Sequence, residues 1–169
     1  VEIEPYDAET LLAWEAGFRH SLPDYRLQLN AAVFSYDYRD VQGFVRDINP
    51  VTGTGVDRLM NQADARHDGA ELEVLWNPGS QWQVQAVLGW LDARLVDAKK
   101  KTTNVAGQQV LMQGTRPYAP RWSGSLQLLH RQVLAAGGNL QWALAWQAMS
   151  DFAGYQSSPV DVAVNNLPG

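Results

Sequence analysis

The chain lacks cysteine entirely and has only three histidines in 169 residues. A small secreted scaffold held together by disulfides is therefore excluded. An excess of positive charge is also missing, because 13 Lys and Arg stand against 18 Asp and Glu and leave a formal net charge of −5. Nucleic acid is therefore not expected as a partner.

Long hydrophobic runs are absent as well. No apolar run exceeds six residues, as at residues 86–91, whereas a membrane-spanning helix needs about 20. A helical membrane protein is thus excluded. A hydrophobic content of 46% and a charged content of 18% nevertheless exclude a disordered tail.

The chain does contain apolar side chains at every second position, in segments of about ten residues between turn signals. This period of two is typical of a strand with one apolar and one polar face. The apolar positions of the six segments are Leu12, Trp14, Ala16 and Phe18; Tyr25, Leu27, Leu29, Ala31 and Val33; Ala70, Leu72, Val74 and Trp76; Trp82, Val84, Ala86, Leu88 and Trp90; Trp122, Gly124, Leu126 and Leu128; and Leu140, Trp142, Leu144, Trp146 and Ala148. The sequence therefore predicts at least six strands.

The alternation changes phase in the second segment. The aromatic residues Phe34, Tyr36, Tyr38 and Phe44 lie on the opposite parity to the apolar residues that precede them. We expect a β-bulge there, or a stretch that lies beyond the environment imposing the alternation.

The predicted connections alternate in length. Residues 20–24, 77–81 and 132–138 are short and contain turn residues such as Asn-Pro-Gly and Gly-Gly. Residues 47–59, 97–115 and 152 onwards are long and polar. Because a short turn joins adjacent antiparallel strands, this order predicts an up-and-down meander with its tight turns at one end.

The tryptophans indicate what the apolar face contacts. All seven fall on the apolar face of their segments: Trp14, Trp76, Trp82, Trp90, Trp122, Trp142 and Trp146. Trp82 and Trp90 are separated by about 26 Å along a strand, or about 20 Å in height at a tilt of about 40°. That height is close to the apolar band of roughly 25 Å between the aromatic girdles of an outer-membrane barrel. The sequence therefore predicts these tryptophans as a membrane-interface girdle.

The opposite face is too polar for a packed interior, and a hydrated or plugged barrel accepts it readily. Its polar residues are Glu71, Glu73, Gln83, Gln85, Gln127, Asn139, Gln141 and Gln147. Six strands cannot close a barrel by themselves, since the smallest single-chain barrels have about eight. We therefore expect residues 1–169 to be an incomplete segment of an antiparallel, up-and-down transmembrane β-barrel, with strands missing on both sides.

Four stretches of the sequence resemble recurrent patterns of one family, in that family's usual order and spacing. They are ETLLAWEAGFR (residues 9–19), LQLNAAVFSYDYRDVQ (residues 27–42), NQADARHDGAELE (residues 61–73) and RPYAPR (residues 116–121). Together they resemble the C-terminal part of the barrel of a TonB-dependent outer-membrane receptor.

The resemblance implies a 22-stranded barrel, filled by an N-terminal plug, that imports a scarce ligand with energy delivered through TonB. A ferric siderophore is the ligand it implies first, with haem or cobalamin as others. It also implies a location in the Gram-negative outer membrane, with lipid and lipopolysaccharide around the barrel. The plug, which would contact the TonB complex, is not recognisable in this sequence.

Two groups of polar residues deserve comparison with active sites. Glu71 and Glu73 lie on one strand face at a separation of roughly 7 Å, near that of a glycosidase pair, but carboxylates are ordinary in a wet barrel interior. Asp64, His67 and Asp68 carry metal-capable groups without the spacing of a zinc or calcium site. We interpret the first pair as part of a lumen wall and the second group as a solvated loop.

The remaining candidates are weaker. His20, His67 and His130 have no Ser or Cys in a nucleophile motif beside them, so the sequence predicts no enzyme, no cofactor and no metal site. The three lysines at residues 99–101 would face outside, where they could meet lipopolysaccharide phosphates, although a solvated loop is the commoner role. The Gly-Thr-Gly stretch at residues 53–55 lacks the rest of a phosphate loop.

Two other classes of protein remain open at this point. One is a passive outer-membrane porin or adhesin with similar strands, which a plug upstream would exclude. The other is a soluble β-sandwich binding module whose surface tryptophans stack on sugars. The sandwich predicts solubility without detergent and a complete fold within 169 residues.

Overall fold

The structure, a computed structural model, describes residues 6–48, 52, 54–97, 101–103, 109–111 and 119–152. Its regular elements are β1 (Thr10–Leu22), a one-turn 3₁₀ helix (Pro23–Tyr25), β2 (Leu27–Ile48), β3 (Gly55–Trp76), β4 (Trp82–Val96), β5 (Lys101–Thr103), β6 (Gln109–Leu111), β7 (Trp122–Val133) and β8 (Asn139–Met149). Six of these strands form one antiparallel sheet in the order β1-β2-β3-β4-β7-β8. The predicted all-β, antiparallel, up-and-down fold of about six strands is confirmed.

Three short connections lie together at one end of the sheet, as predicted. After the 3₁₀ helix, Arg26 adopts a left-handed conformation (φ 49°) and its N–H donates to the carbonyl oxygen of Pro23 at 3.0 Å. The other two turns contain Gly79 (φ 88°) and the pair Gly137 (φ 87°) and Gly138 (φ 95°). Glycine suits these positions because a side chain disfavours positive φ. We call this the tight-turn end.

The predicted long loop at residues 47–59 is wrong. β2 continues to Ile48 and β3 already begins at Gly55, so the two 22-residue strands form a long hairpin. β1 pairs with β2 only from the tight-turn end up to Arg39. β4 pairs with β3 only from that end up to Asp64. The outer hairpin is therefore a two-stranded ribbon, which does not need the apolar alternation that reveals a half-buried strand.

The predicted β-bulge is present, a few residues beyond Phe34. The β2–β3 register shifts between Tyr38 and Val41, and again between Val41 and Gln42. Asp40 lies within the bulge at φ 56°, and its N–H donates to the Asp64 carboxylate at 2.9 Å. The bulge therefore has its own side-chain support.

The connection between β4 and β7 contains regular structure that the sequence analysis did not predict. β5 and β6 pair as a short antiparallel hairpin, with Lys101 opposite Leu111, and β5 lies beside β2. Of the residues considered above in the long connections, Gly53, Lys99 and Lys100 lie outside the described residues, as does the chain after Phe152.

Strand pairing separates the side chains of the main sheet into two faces. Because residues opposite one another in a register share a face, one row of the sheet runs Phe18, Ala31, Leu72, Leu88, Gly124 and Ala148. The adjacent row on the opposite face contains Gly17, Ala32, Glu71, Gly89 and Ser123. We call these the apolar face and the polar face. All six predicted alternating segments contribute to the same apolar face.

The few buried hydrophobic residues lie at the end opposite the tight turns. Ala63, Ala65 and Leu95 form a cluster against which Tyr38 and Val41 pack. By contrast, Phe18, Leu88 and Leu144 on the apolar face are 60%, 48% and 56% exposed. Within the described residues, the sheet therefore leaves its largest apolar surface uncovered.

Candidate functional site

The apolar face carries all seven tryptophans, and strand pairing places six of them towards its two ends. Trp76, Trp82 and Trp142 lie next to the tight turns, at or near the ends of β3, β4 and β8. Towards the other end, Trp90 lies directly opposite Trp122. Trp14 lies four residues from the start of β1, also towards that end. Trp146 pairs with Leu126, and Leu126 pairs with Ala86, so Trp146 lies midway between the two ends. The shared face follows the prediction; the interfacial role of these residues remains a prediction.

At the tight-turn end, two tryptophans contact a histidine. The ring centroid of Trp82 lies 4.2 Å from that of His130 and 5.5 Å from that of Trp142, and the two indoles meet edge to face at 87°. His130 in turn lies 5.5 Å from Trp142. The His130 Nδ1 atom is buried without a hydrogen-bond partner. This histidine therefore belongs to an aromatic cluster.

At the opposite end, Trp90 and Trp122 face each other across β4 and β7 with ring centroids 6.4 Å apart and an interplanar angle of 51°. Trp122 remains 50% exposed. Aromatic pairs at this distance stabilise cross-strand pairing beyond the area that they bury. An indole also combines an apolar body with a polar N–H, which suits a boundary between hydrocarbon and water.

Beyond Trp90, the same face becomes charged. Arg66 and Arg94 lie directly opposite each other on β3 and β4, and Asp37 lies opposite Arg66 on β2. The Arg66 Nε pairs with the Asp68 carboxylate at 3.2 Å, and Arg94 pairs with Asp92. The sequence analysis did not identify this charged belt, because only the register shows that these residues share a face.

A depression of about 600 Å³ lies on the polar face and extends over five strands, and Glu15, Arg19, Glu71 and Ser123 contribute to its wall. A depression lined by charged and hydroxyl side chains suits the hydrated interior of a wide barrel.

A hydrogen-bonded chain crosses three strands within this depression. The Arg19 Nε donates to the Asn30 Oδ1 at 3.1 Å, and the Asn30 Nδ2 donates to the Glu73 Oε2 at 2.7 Å. Gln28 adds a contact to the same Asn30 oxygen at 3.4 Å. Glu73 is thus a partner in a cross-strand network, whereas Glu71 is exposed opposite Ala32 and Gly89.

At the end opposite the tight turns, the chain before β1 attaches to the β2–β3 hairpin. The Glu9 carboxylate accepts hydrogen bonds from the Gln42 backbone N–H at 2.5 Å and the Tyr38 hydroxyl at 2.7 Å. These two bonds lower the pKa of Glu9, with the backbone bond contributing most. Asp7 pairs with Asn61 through two hydrogen bonds, from the Asp7 N–H at 2.8 Å and from the Asn61 amide at 3.1 Å. Sequence patterns gave no signal for this contact.

The structure does not bring the metal-capable residues into a site. His67 lies on the polar face with Tyr36. Asp68 lies on the opposite face, in the charged belt, and its carboxylate accepts a hydrogen bond from the Ser35 hydroxyl at 2.6 Å. The Asp64 carboxylate accepts a hydrogen bond from the Asp40 N–H in the bulge. All of them lie in β3, so the predicted solvated loop at this place is wrong. Among the described residues there is no group of three His, Cys, Asp or Glu suited to a metal, and no helix long and apolar enough to cross a membrane.

The chain matches the family model described as "TonB dependent receptor-like, beta-barrel" over residues 3–168. It therefore belongs to this family of receptor β-barrels. A search of curated protein sequences found no significant match.

Two solved structures are similar in fold. The ferric yersiniabactin uptake receptor FyuA from Yersinia pestis aligns with a TM-score of 0.67 over 92% of this chain, at 20% sequence identity. The siderophore receptor PiuA from Acinetobacter baumannii aligns with a TM-score of 0.53 over 80% of this chain, at 18% identity. The alignment covers 21% of each receptor, so the chain corresponds to about a fifth of their length.

Proposed function

We propose that this chain is part of the barrel wall of a TonB-dependent outer-membrane receptor for a ferric siderophore. One observation carries the membrane assignment: a continuous apolar face of six strands is exposed, with tryptophans towards both ends and a charged belt beyond one of them. A soluble monomer seldom exposes such a patch. The family match supports the receptor class.

The orientation follows from the lengths of the connections. Outer-membrane barrels have short periplasmic turns and long extracellular loops, so the tight-turn end faces the periplasm. Trp76, Trp82 and Trp142 would then lie at the periplasmic interface, and Trp90 and Trp122 near the outer one. The long β2–β3 hairpin would extend outwards from the cell.

The polar face would line the interior of the complete barrel. Its carboxylates and amides would contact water or the plug, and the plug would connect the barrel to the TonB complex. Uptake would require capture of the ligand from outside, followed by rearrangement of the plug when TonB delivers energy. A ferric siderophore is proposed as the ligand because both similar structures are siderophore receptors by name.

Two alternatives predict different observations. A soluble sandwich would cover its apolar face with a second sheet, whereas within the described residues the six-stranded sheet leaves that face exposed. A passive porin would conduct without TonB. Family membership favours an energy-coupled receptor over the porin.

The membrane assignment can be tested by folding the full-length receptor with and without detergent micelles, then measuring quenching of these tryptophans by lipids brominated at defined depths. We expect folding only in micelles or bilayers, and stronger quenching by bromine near the headgroups than by bromine at the bilayer centre. A folded monomer in buffer with unquenched tryptophans would show that the apolar face does not contact lipid.

The receptor assignment needs the complete gene in cells. Deleting it should reduce uptake of a radiolabelled ferric siderophore, and restoring it should recover uptake only when TonB is present. Uptake that persists without TonB would support the porin instead. Unchanged uptake after deletion of the gene would exclude the tested siderophore as its ligand.

A further inference from the structure

The bulge in β2 lies at the rim of the main sheet, where both neighbouring strands end. β1 pairs with β2 only up to Arg39, and β4 pairs with β3 only up to Asp64. Beyond these positions, the outer hairpin (residues 41–48 and 55–63) pairs with no other strand of the described residues, since β5 lies beside β2 but pairs with β6. Strands bend and twist at a bulge. The bulge is therefore the point about which the outer hairpin can turn.

The bulge is held by side chains of β3 from both of its sides. Asp40 has a positive φ of 56°, which is uncommon for a residue other than glycine. Its N–H donates to the Asp64 carboxylate at 2.9 Å, on the side of the main sheet. Its carbonyl oxygen accepts a hydrogen bond from the Asn61 amide at 2.6 Å, on the side of the outer hairpin. Both backbone polar groups of Asp40 are thus bonded, one from each side.

The carboxylate of Glu9 also joins the two sides of the bulge. One of its oxygens accepts a hydrogen bond from the Gln42 N–H, in the outer hairpin, at 2.5 Å. The other accepts a hydrogen bond from the Tyr38 hydroxyl, on the side of the main sheet, at 2.7 Å. Glu9 directly precedes β1, every residue of which pairs with β2. This carboxylate is therefore fixed to the sheet and bonded across the bulge.

Asp7 adds three hydrogen bonds, all made by its backbone and all to the outer hairpin. Its N–H donates to the Asn61 Oδ1 at 2.8 Å. Its carbonyl oxygen accepts hydrogen bonds from the side-chain amides of Asn61 and Gln42, each at 3.1 Å. Asn61 therefore bonds both to the segment before β1 and to the bulge.

We infer that residues 7–9 form a clasp that holds the outer hairpin at one angle to the rim of the sheet, and that breaking its bonds releases the hairpin to turn about the bulge. The bonds of the clasp are exposed to solvent. Each contributes only modestly to stability, so the clasp can open while the sheet stays folded. The inference rests on the proposed function for its orientation, in which the hairpin extends outwards from the cell beside the entrance of the barrel.

The test breaks the clasp in the full-length receptor in lipid vesicles, with the double variant Glu9→Ala and Asn61→Ala. Mass spectrometry of hydrogen exchange measures opening of the outer hairpin, and exchange of its amides should rise by about tenfold. Spin labels on cysteines introduced at Leu59, in the hairpin, and Val133, at the tight-turn end, measure its position. We expect one narrow distance distribution in the wild type and a broad, shifted one in the double variant.

The matched control is Asp7→Ala. Asp7 contributes only backbone atoms to the clasp, so this variant removes a carboxylate two positions from Glu9 and should change neither the exchange nor the distance. Glu9→Gln keeps the length of the side chain but leaves a single oxygen to accept hydrogen bonds. Its exchange should fall between that of the wild type and that of the double variant.

Three results would overturn the inference. One is a double variant that folds, judged by its heat-modifiable migration in a gel, and matches the wild type in hairpin exchange and distance. Another is an equal change in Asp7→Ala, which would indicate a general effect of charge. A third is faster exchange throughout β1 and β2, which would indicate that the segment supports the whole sheet. If the double variant does not fold, each single variant serves in the same comparison.

These outcomes can be distinguished from failure of the proposed function, because neither readout needs a ligand. A hairpin that is released in the double variant of a receptor that takes up no ferric siderophore would reject the proposed function and support the clasp. Normal siderophore uptake with a hairpin that stays fixed in the double variant would reject the clasp alone.

Discussion

On the polar face, the ring of Phe34 in β2 covers Gly69, which lies directly opposite it in β3. A Cβ atom added to Gly69 would be 2.2 Å from the Cζ of this ring, so only glycine leaves room for it. The ring also stacks on that of Tyr36, with centroids 5.0 Å apart. Glycine within a strand is unfavourable by itself, and an aromatic ring that covers it from the opposite strand compensates for the missing side chain.

Replacing this glycine should therefore destabilise the barrel. We expect Gly69→Ala to lower the free energy of unfolding by about 1–3 kcal/mol, as overpacking commonly does. Urea unfolding of the protein in micelles measures the change. Phe34→Leu in the same chain should recover part of it by opening space. Ala145→Ser, a small change at an exposed position of the polar face, serves as the control. Equal stability of Gly69→Ala and wild type would show that the ring does not need this glycine.

The two faces can be compared at adjacent positions of β4. Leu88 and Val87 are similarly exposed, at 48% and 40%, but point to opposite sides of the sheet. Leu88→Arg should destabilise the protein by about 1–3 kcal/mol if that side contacts lipid, because Leu88 lies between the bilayer centre and the interface at Trp90. Val87→Arg should have a much smaller effect, since it faces a hydrated interior. Reversible unfolding in lipid vesicles measures both, and similar losses would contradict the assignment of the faces.

Attachment of the chain before β1 should depend on pH through Glu9. Its pKa is lowered by hydrogen bonds to the folded state, so its stabilising contribution is full at neutral pH and is lost as pH falls below about 4.5 through the lower pKa. Nuclear magnetic resonance of the Glu9 side-chain carboxyl carbon measures this pKa directly.

Tyr38→Phe tests the same contact, because it removes one of the two hydrogen bonds to Glu9. The Glu9 pKa should rise in this variant but remain below its usual value, since the backbone bond from Gln42 is retained. Tyr36→Phe removes a hydroxyl from the same strand and is the matched control. An identical Glu9 pKa in wild type and Tyr38→Phe would show that this hydroxyl does not contribute.

The sheet was predictable where one environment acts on a whole strand. In β4, Trp82, Leu88 and Trp90 alternate with polar or small residues, and the strand lies where the pattern predicts. The outer β2–β3 hairpin escaped prediction because its two strands pair with each other and need no apolar side. The β5–β6 hairpin has only three residues in each strand, too few for a pattern.

The surface features depend on register, which the sequence does not display. Arg66 and Arg94 are 28 positions apart in the chain, and only the pairing of β3 with β4 places them together. Glu9 and Gln42 meet because the chain before β1 reaches the hairpin beyond the bulge. The tryptophans were easier to predict, because parity alone assigns each of them to a face.

The two register shifts at the β2–β3 bulge have opposite senses, and they cancel. Tyr38 pairs with Ala65 before the bulge and Gln42 pairs with Asn61 after it, so each strand advances by the same four positions. Beyond the bulge, alternate residues of the hairpin therefore stay on the same faces as in the rest of the sheet. A residue inserted into only one of these strands beyond the bulge would turn every later side chain of that strand to the other side. Changes in the length of this hairpin must therefore occur in matched pairs, one in each strand, or be confined to its tip.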